Sequence, residues 1–192
     1  MIALDHVLVA VKDLETEPFD VPWLRSRPGG LHPDWGTGNR IVPLGDAYFE
    51  YVAVVDEAKA QTNPFGRWVL SADHGDLLGW AVRGDIDAIS RRLQLPVSDG
   101  SRRGDDGSVL RWRLAGVEQA AAEPCLPFFI EWAPGTPLPG AGGVARLTRL
   151  QLQGDAERIA WWLGEHDLRL EITPGPPELA GFEVKRRSVT HS

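Results

Sequence analysis

Three residues stand where this sequence could do chemistry: His6 in LDHVLVAV, Glu50 in AYFEYVAV and Glu131 in PFFIEW. The two glutamates have matching surroundings, Phe-Glu-Tyr in one segment and Ile-Glu-Trp in the other. An ionised carboxylate among aromatic neighbours is costly to bury unless it is paired or coordinated. Two of them in matching places therefore point to a common partner, a divalent metal or a substrate cation. A histidine nitrogen and carboxylate oxygens from adjacent strands suit zinc, iron, manganese or nickel, with positions left open for water or substrate. The spacing is not local, unlike HExxH or CxxC. A plainer alternative also stands, with His6 a hydrogen-bonded edge histidine and both glutamates on the wet face of their strands.

The stretch GGLHPDWGTGN, residues 29–39, adds His32, Trp35, Thr37 and Asn39 just ahead of the Glu50 strand. Its glycines would let the backbone come close to a ligand, while His32, Thr37 and Asn39 would line a cleft as hydrogen-bond donors and acceptors. Alternatively, the glycines and Asn39 shape a tight turn that His32 caps. Most of the eight tryptophans belong to the core, but Trp35 and Trp132 neighbour proposed site residues and could wall an apolar pocket. The one cysteine, Cys125, sits in EPCLPFF beside two prolines, the setting of a buried, inert thiol.

The elements that must position these groups repeat. ALDHVLVAV, LLGWAVRGD and LTRLQLQGD alternate as half-buried strands do. DIDAISRRL and DAERIAWWL follow the second and third, each opened by an aspartate that can cap a helix, about 70 residues apart. Ile86, Ile89 and Leu93 fall on one helix face, as do Ala156, Ile159 and Leu163. Trp161 and Trp162 cannot both face inward. Further strands are expected at GNRIVPL and AYFEYVAV, at VLRWRLAG and PFFIEW, and at LRLEI and FEVKRRSV. The first unit's helix, within EPFDVPWLRSRPGG, has room for a turn or two before Pro28 and the glycines stop it. DGSRRGDDG, residues 99–107, reads as a surface loop, and PGTPLPGAGG, residues 134–143, as a linker. The fold class is α+β: units of one helix and several mostly antiparallel strands, with helices on one face of a curved sheet and a concave wall on the other.

A formal charge of -7 and scattered basic residues argue against nucleic acid as a partner. Arg102-Arg103 and Lys185-Arg186-Arg187 read as solvated strand ends. No apolar run approaches the ~18 residues of a membrane span, and MIALDHVLVAVKDLE lacks the marks of a signal peptide, so a cytoplasmic protein is expected. No GxGxxG or GxxxxGK[ST] follows a strand.

LDHVLVAVKDLE, then GxHPxxGTxN and YxE, then PFFIEW, together resemble the glyoxalase-like domain family of the vicinal oxygen chelate superfamily over residues 4–132. The resemblance implies paired βαβββ modules, residues 1–56 and 77–135, forming a half-barrel cleft, and residues 144–192 would add a partial βαββ module. It also implies metal ligation by His6, Glu50 and Glu131. Leu78 stands where a fourth ligand belongs, with His74 or His32 as possible replacements. Metal-assisted lyase, isomerase, epimerase or ring-cleaving dioxygenase chemistry all fit the resemblance, with Glu50 or Glu131 as the catalytic group that moves a proton. So does a metal-free protein that sequesters a small molecule, as in bleomycin resistance. Glutathione would need a basic or thiol-recognising cluster that does not stand out. A homodimer is expected, since pairing would cover the exposed edges of half-barrel sheets.

Overall fold

The computed structural model describes residues 1–104 and 107–187. Asp105 and Asp106, within the expected surface loop, and Ser188 and Val189, which end the expected last strand, lie outside the described residues.

Eight strands form a closed barrel. The first module contributes β1 (Ala3–Ala10), β2 (Arg27–His32), β3 (Thr37–Pro43) and β4 (Tyr48–Val54), and the second β5 (Leu77–Arg83), β6 (Val97–Arg103), β7 (Val109–Ala115) and β8 (Phe128–Trp132). Around the barrel the order is β1-β4-β3-β2-β6-β7-β8-β5. Each module thus pairs its first and last strands in parallel, β1 with β4 and β5 with β8. The modules join at two antiparallel seams, β1 with β5 and β2 with β6. The α+β class and the modular strand order are as expected, and the two half-barrels close on each other.

Side chains alternate across the barrel wall, and two cores result. Leu8, Ala10, Val52, Leu78, Ala81, Trp112, Leu114, Phe128 and Ile130 pack in the interior, joined by Phe65, Trp68 and Val69 from helix α2 (Pro64–Leu70). A short helix α1 (Glu57–Ala60) precedes α2, and Asn63 caps α2 with Pro64 at its first turn. The outward residues Val7, Val9, Phe49, Tyr51, Trp80, Val82 and Phe129 form the other core. Helix α3 (Ile86–Leu93) and the C-terminal unit cover it, burying Ile86, Ile89 and Leu93 as their spacing predicts.

That C-terminal unit comprises β9 (Ala145–Gln153), helix α5 (Ala156–Leu163), β10 (Leu170–Thr173) and β11 (Glu178–Arg186), whose strands make a separate sheet in the order β10-β9-β11. Trp162 is buried and donates to the Pro127 carbonyl at 2.8 Å, whereas Trp161 is 57% exposed. Arg92 of α3 donates to the Trp161 and Trp162 carbonyls at 2.8 and 2.7 Å, satisfying groups that the end of α5 would otherwise leave open.

Three expectations change. Residues 11–26 carry no helix; Leu14, Phe19, Val21, Trp23 and Leu24 anchor the segment to the outer core. Much of the stretch read as a surface loop from residue 99 is strand β6, because Trp112 and its β7 neighbours pair along it despite its polar composition. The Gly-rich segment read as a helix stop is strand β2, and here the glycines serve close approach. A Cβ on Gly29 would collide with the Asn39 amide, and one on Gly30, whose φ is +147°, would collide with the Arg103 carbonyl across the β2–β6 seam.

That seam sets a measurable demand. Gly30→Ala combines an unfavourable φ with a backbone collision, so it should destabilise the fold by more than about 1 kcal/mol, with thermal unfolding lowered by at least about 2–4 °C. An unchanged melting temperature would mean that β2 and β6 do not pack as described.

Candidate functional site

Inside the barrel the alternation that builds the apolar core is interrupted by polar side chains from five strands. β1 brings His6, β2 His32, β3 Thr37 and Asn39, β4 Glu50, and β6 Arg102. All are buried, with Glu50 only 6% and Arg102 only 8% exposed. A bulge in the β1–β5 pairing between Leu4 and His6 adds Asp5 to the group, so that consecutive residues take part together.

Hydrogen bonds order this cluster. Asp5 Oδ1 lies 2.7 Å from His6 Nδ1, while its other oxygen accepts from the Trp132 indole at 3.0 Å. The far side of the His6 ring, Nε2, is 3.4 Å from Glu50 Oε2. Asn39 donates to Glu50 Oε1 at 2.8 Å, and His32 Nε2 lies 3.8 Å from the same oxygen. Thr37 Oγ1 contacts His32 Nδ1 at 2.9 Å and fixes that ring from behind. Tyr48 stacks on His6 at 4.8 Å between ring centroids, and Phe128 meets it edge-on. Trp35, Phe65, Trp112 and Trp132 complete the walls.

Burial would push the Asp5 carboxyl up, but the bond and charge of His6, the Trp132 bond and the Arg83 guanidinium outweigh it and hold the group below its ordinary value. His32 goes the other way. Its pKa is lowered to about 4, chiefly by burial and further by the neighbouring Arg102 and His6, against an opposing pull from Glu50. Burial, with the negative Asp5 and Glu50 nearby, raises the Tyr48 hydroxyl well above its ordinary value, so it remains a neutral hydroxyl.

Arg102 completes the site, and it reverses the reading of Arg102-Arg103 as a solvated strand end. Alternation along β6 sends Arg102 inward and leaves Arg103 exposed. Its guanidinium makes one long hydrogen bond, to Asn39 Oδ1 at 3.4 Å, and no ion pair within 4.0 Å among the described residues. The available signal was the period-2 pattern Ser98-Gly100-Arg102, with Gly100 leaving space for the Trp112 indole opposite.

The structure brings His6, His32, Trp35, Thr37, Asn39, Glu50 and Trp132 together. It does not bring Glu131. In β8 the inward residues are Phe128, Ile130 and Trp132, so Glu131 faces outward. There it accepts from Arg113 Nε at 3.0 Å, and Arg113 also bonds Asp87 of α3. The likeness of F-E-Y to I-E-W conceals a one-residue difference in which face each glutamate takes. His74 lies in an exposed loop and accepts from the Lys12 backbone N–H. Cys125 is buried, and burial raises its thiol pKa.

A divalent metal held by His6, Glu50 and Glu131 does not fit this donor set. With Glu131 outside, β5 and β8 offer Leu78, Ala81, Phe128 and Ile130 to the interior, none of which can ligate. Among the described residues no three His, Cys, Asp or Glu side chains are arranged to hold a metal ion. Arg102 places a positive charge in the same interior, and Asn39 already occupies one Glu50 oxygen.

Two four-stranded modules closed into one barrel, with a buried polar cluster inside and a small α+β unit outside, define the class of protein. The chain belongs to the glyoxalase-like domain family, whose profile matches residues 4–166 and so extends past the barrel through α5. A hypothetical protein from Staphylococcus aureus shares the fold at a TM-score of 0.80 and 16% identity, over 99% of this chain and 93% of that one. Methylmalonyl-CoA epimerase from Mycobacterium tuberculosis is 22% identical over 69% of this chain and 88% of its own, at a TM-score of 0.44. A hypothetical protein from Bacillus halodurans C-125 is 15% identical over 71% and 96%, at 0.45. No curated protein matches the chain.

The depressed His32 pKa makes stability depend on pH. Between about 4 and 6.5 the unfolded chain binds a proton at this position that the folded chain refuses. This contribution is fully present above pH 6.5 and is lost as pH falls toward 4. Urea unfolding of His32→Gln should therefore show a shallower acid limb than the parent across that window; parallel limbs would mean that His32 is not held neutral.

Proposed function

We propose that the barrel interior binds a small organic anion, a carboxylate or a carbonyl compound with anionic character, and moves a proton on it without a resident metal. The observation that carries this reading is Arg102: a guanidinium 8% exposed, lining the same pocket as His6 and Glu50, with a single hydrogen bond, to Asn39, among the described residues. Buried cations are normally paired, and a planar fork of N–H groups matches a carboxylate.

In this reading Arg102 receives the negative oxygen of the ligand. Glu50, steadied by Asn39 on one oxygen, uses the other to accept a proton from the carbon beside the ligand's carbonyl. Negative charge then grows on the oxygen that faces the Arg102 guanidinium, which stabilises it. His6 is within 3.4 Å of that Glu50 oxygen and is oriented by Asp5, so it can pass the proton on. Return of the proton to another position or face gives an isomerase; loss of a leaving group from the neighbouring carbon gives a lyase.

A second reading is a binding protein that holds the same anion and does no chemistry on it. The closely walled interior favours it, since sequestration needs enclosure and nothing more.

Small carboxylates observed by ligand NMR in deuterated buffer separate these readings. Binding that disappears in Arg102→Met supports the site. Exchange of the α-hydrogen for deuterium by the parent, lost in Glu50→Gln with binding kept, supports the enzyme. Binding without exchange supports the second reading, and binding that survives Arg102→Met contradicts both.

A further inference from the structure

The interior as it stands has room for little more than the anionic head of such a ligand. Its free space is ≈ 20 Å³, roughly what one water centre needs. A much larger cavity of ≈ 350 Å³ lies alongside, between α2, the start of β6, and helix α4 (Val117–Ala122). Trp35, Phe65 and Leu114 line both spaces. The partition between them is therefore made largely of two aromatic rings, Trp35 and Phe65, whose centroids are 4.8 Å apart.

The outer chamber differs from the interior in chemistry. Pro64, Pro96 and Val117 join the shared residues in its lining, and Glu118 is the one charged residue there among those described. It offers no cation to an anionic group, whereas the interior offers Arg102. A molecule lying across both would keep its negative end inside and an uncharged, apolar end outside.

Trp35 sits in the β2–β3 turn, half-buried, and Phe65 sits on a short helix. They are tied by Asn63, which caps that helix and also donates to the Trp35 carbonyl at 3.2 Å. Phe65 is 5% exposed and belongs to the interior core, so the opening movement falls to the half-buried Trp35, whose side chain can rotate without disturbing a barrel strand.

We infer that the ligand is an amphipathic carboxylate, with an aryl or branched alkyl body in the outer chamber, and that Trp35 and Phe65 form the gate through which its head reaches Arg102. This rests on the anion-binding reading above.

The test compares acetate with 4-phenylbutyrate on the full chain, by NMR titration, in the parent and in Val117→Asp. Val117 lines the outer chamber and does not line the interior. The inference predicts that the parent binds 4-phenylbutyrate at least about tenfold more tightly than acetate, since burying a phenyl group contributes that much or more. It predicts that Val117→Asp removes this gain while acetate binds as before, which also shows that the variant is folded. Trp35→Ala should speed association of phenylbutyrate more than that of acetate. Equal affinities for the two acids, or a preference that survives Val117→Asp, overturns the chamber's role and leaves the anion site standing. Failure of both acids to bind the parent overturns the anion site, and the inference with it.

Discussion

Glu50 carries a carboxylate into the middle of a closed barrel, and the structure around it is arranged by that one constraint. A buried charge is tolerated only when hydrogen bonds and opposite charge replace the water it has lost. Asn39 supplies the closest bond, and His6 lies against the other oxygen. Each of these is held in turn. Asp5 orients His6, Thr37 orients His32, and Gly29 has no side chain where the Asn39 amide must sit. The β1 bulge that admits Asp5 and the close β2–β6 seam are thus features of the fold that serve the site.

The cluster draws on both modules unequally. The first gives the histidines, the asparagine and the carboxylate, while the second gives a cation and aromatic walls. This asymmetry is what separates the site from a chelate with ligands in each half. Where a metal would need donors from β5 or β8, those strands supply apolar side chains, and a guanidinium enters from β6. A fixed guanidinium can stabilise developing negative charge on an oxygen, so proton transfer beside a carbonyl remains within reach of these residues.

Much of this was legible in the sequence, and the reasons are physical. The strands of His6 and Glu50 and the helices carrying Ile86 and Ile159 show strong periodicity because each buries one face. The close order of His32, Thr37 and Asn39 likewise reports a strand pair that must place several polar groups together. Glu131 misled because side-chain direction depends on register, and residues flanking a glutamate look alike whichever face it takes. Arg102 was hidden by polar neighbours in a strand whose partner, β7, supplies most of the hydrophobic signal. Strand β2 was hidden by Pro28, Gly29 and Gly30, residues that usually end structure but here allow close approach. Closure of the barrel depends on pairings far apart in sequence, which no local pattern encodes.

On the proposed reading, Arg102 is an interior cation kept for a ligand rather than for the fold. Urea unfolding of the ligand-free Arg102→Met variant tests it most directly. A buried ion pair stripped of one partner loses about 3–5 kcal/mol, whereas apolar replacement of a buried cation with no ion-pair partner among the described residues removes a desolvation cost and is neutral or stabilising. The variant's stability should equal or exceed that of the parent. A loss in the 3–5 kcal/mol range would show that the guanidinium holds the barrel together, and would contradict its assignment to a ligand.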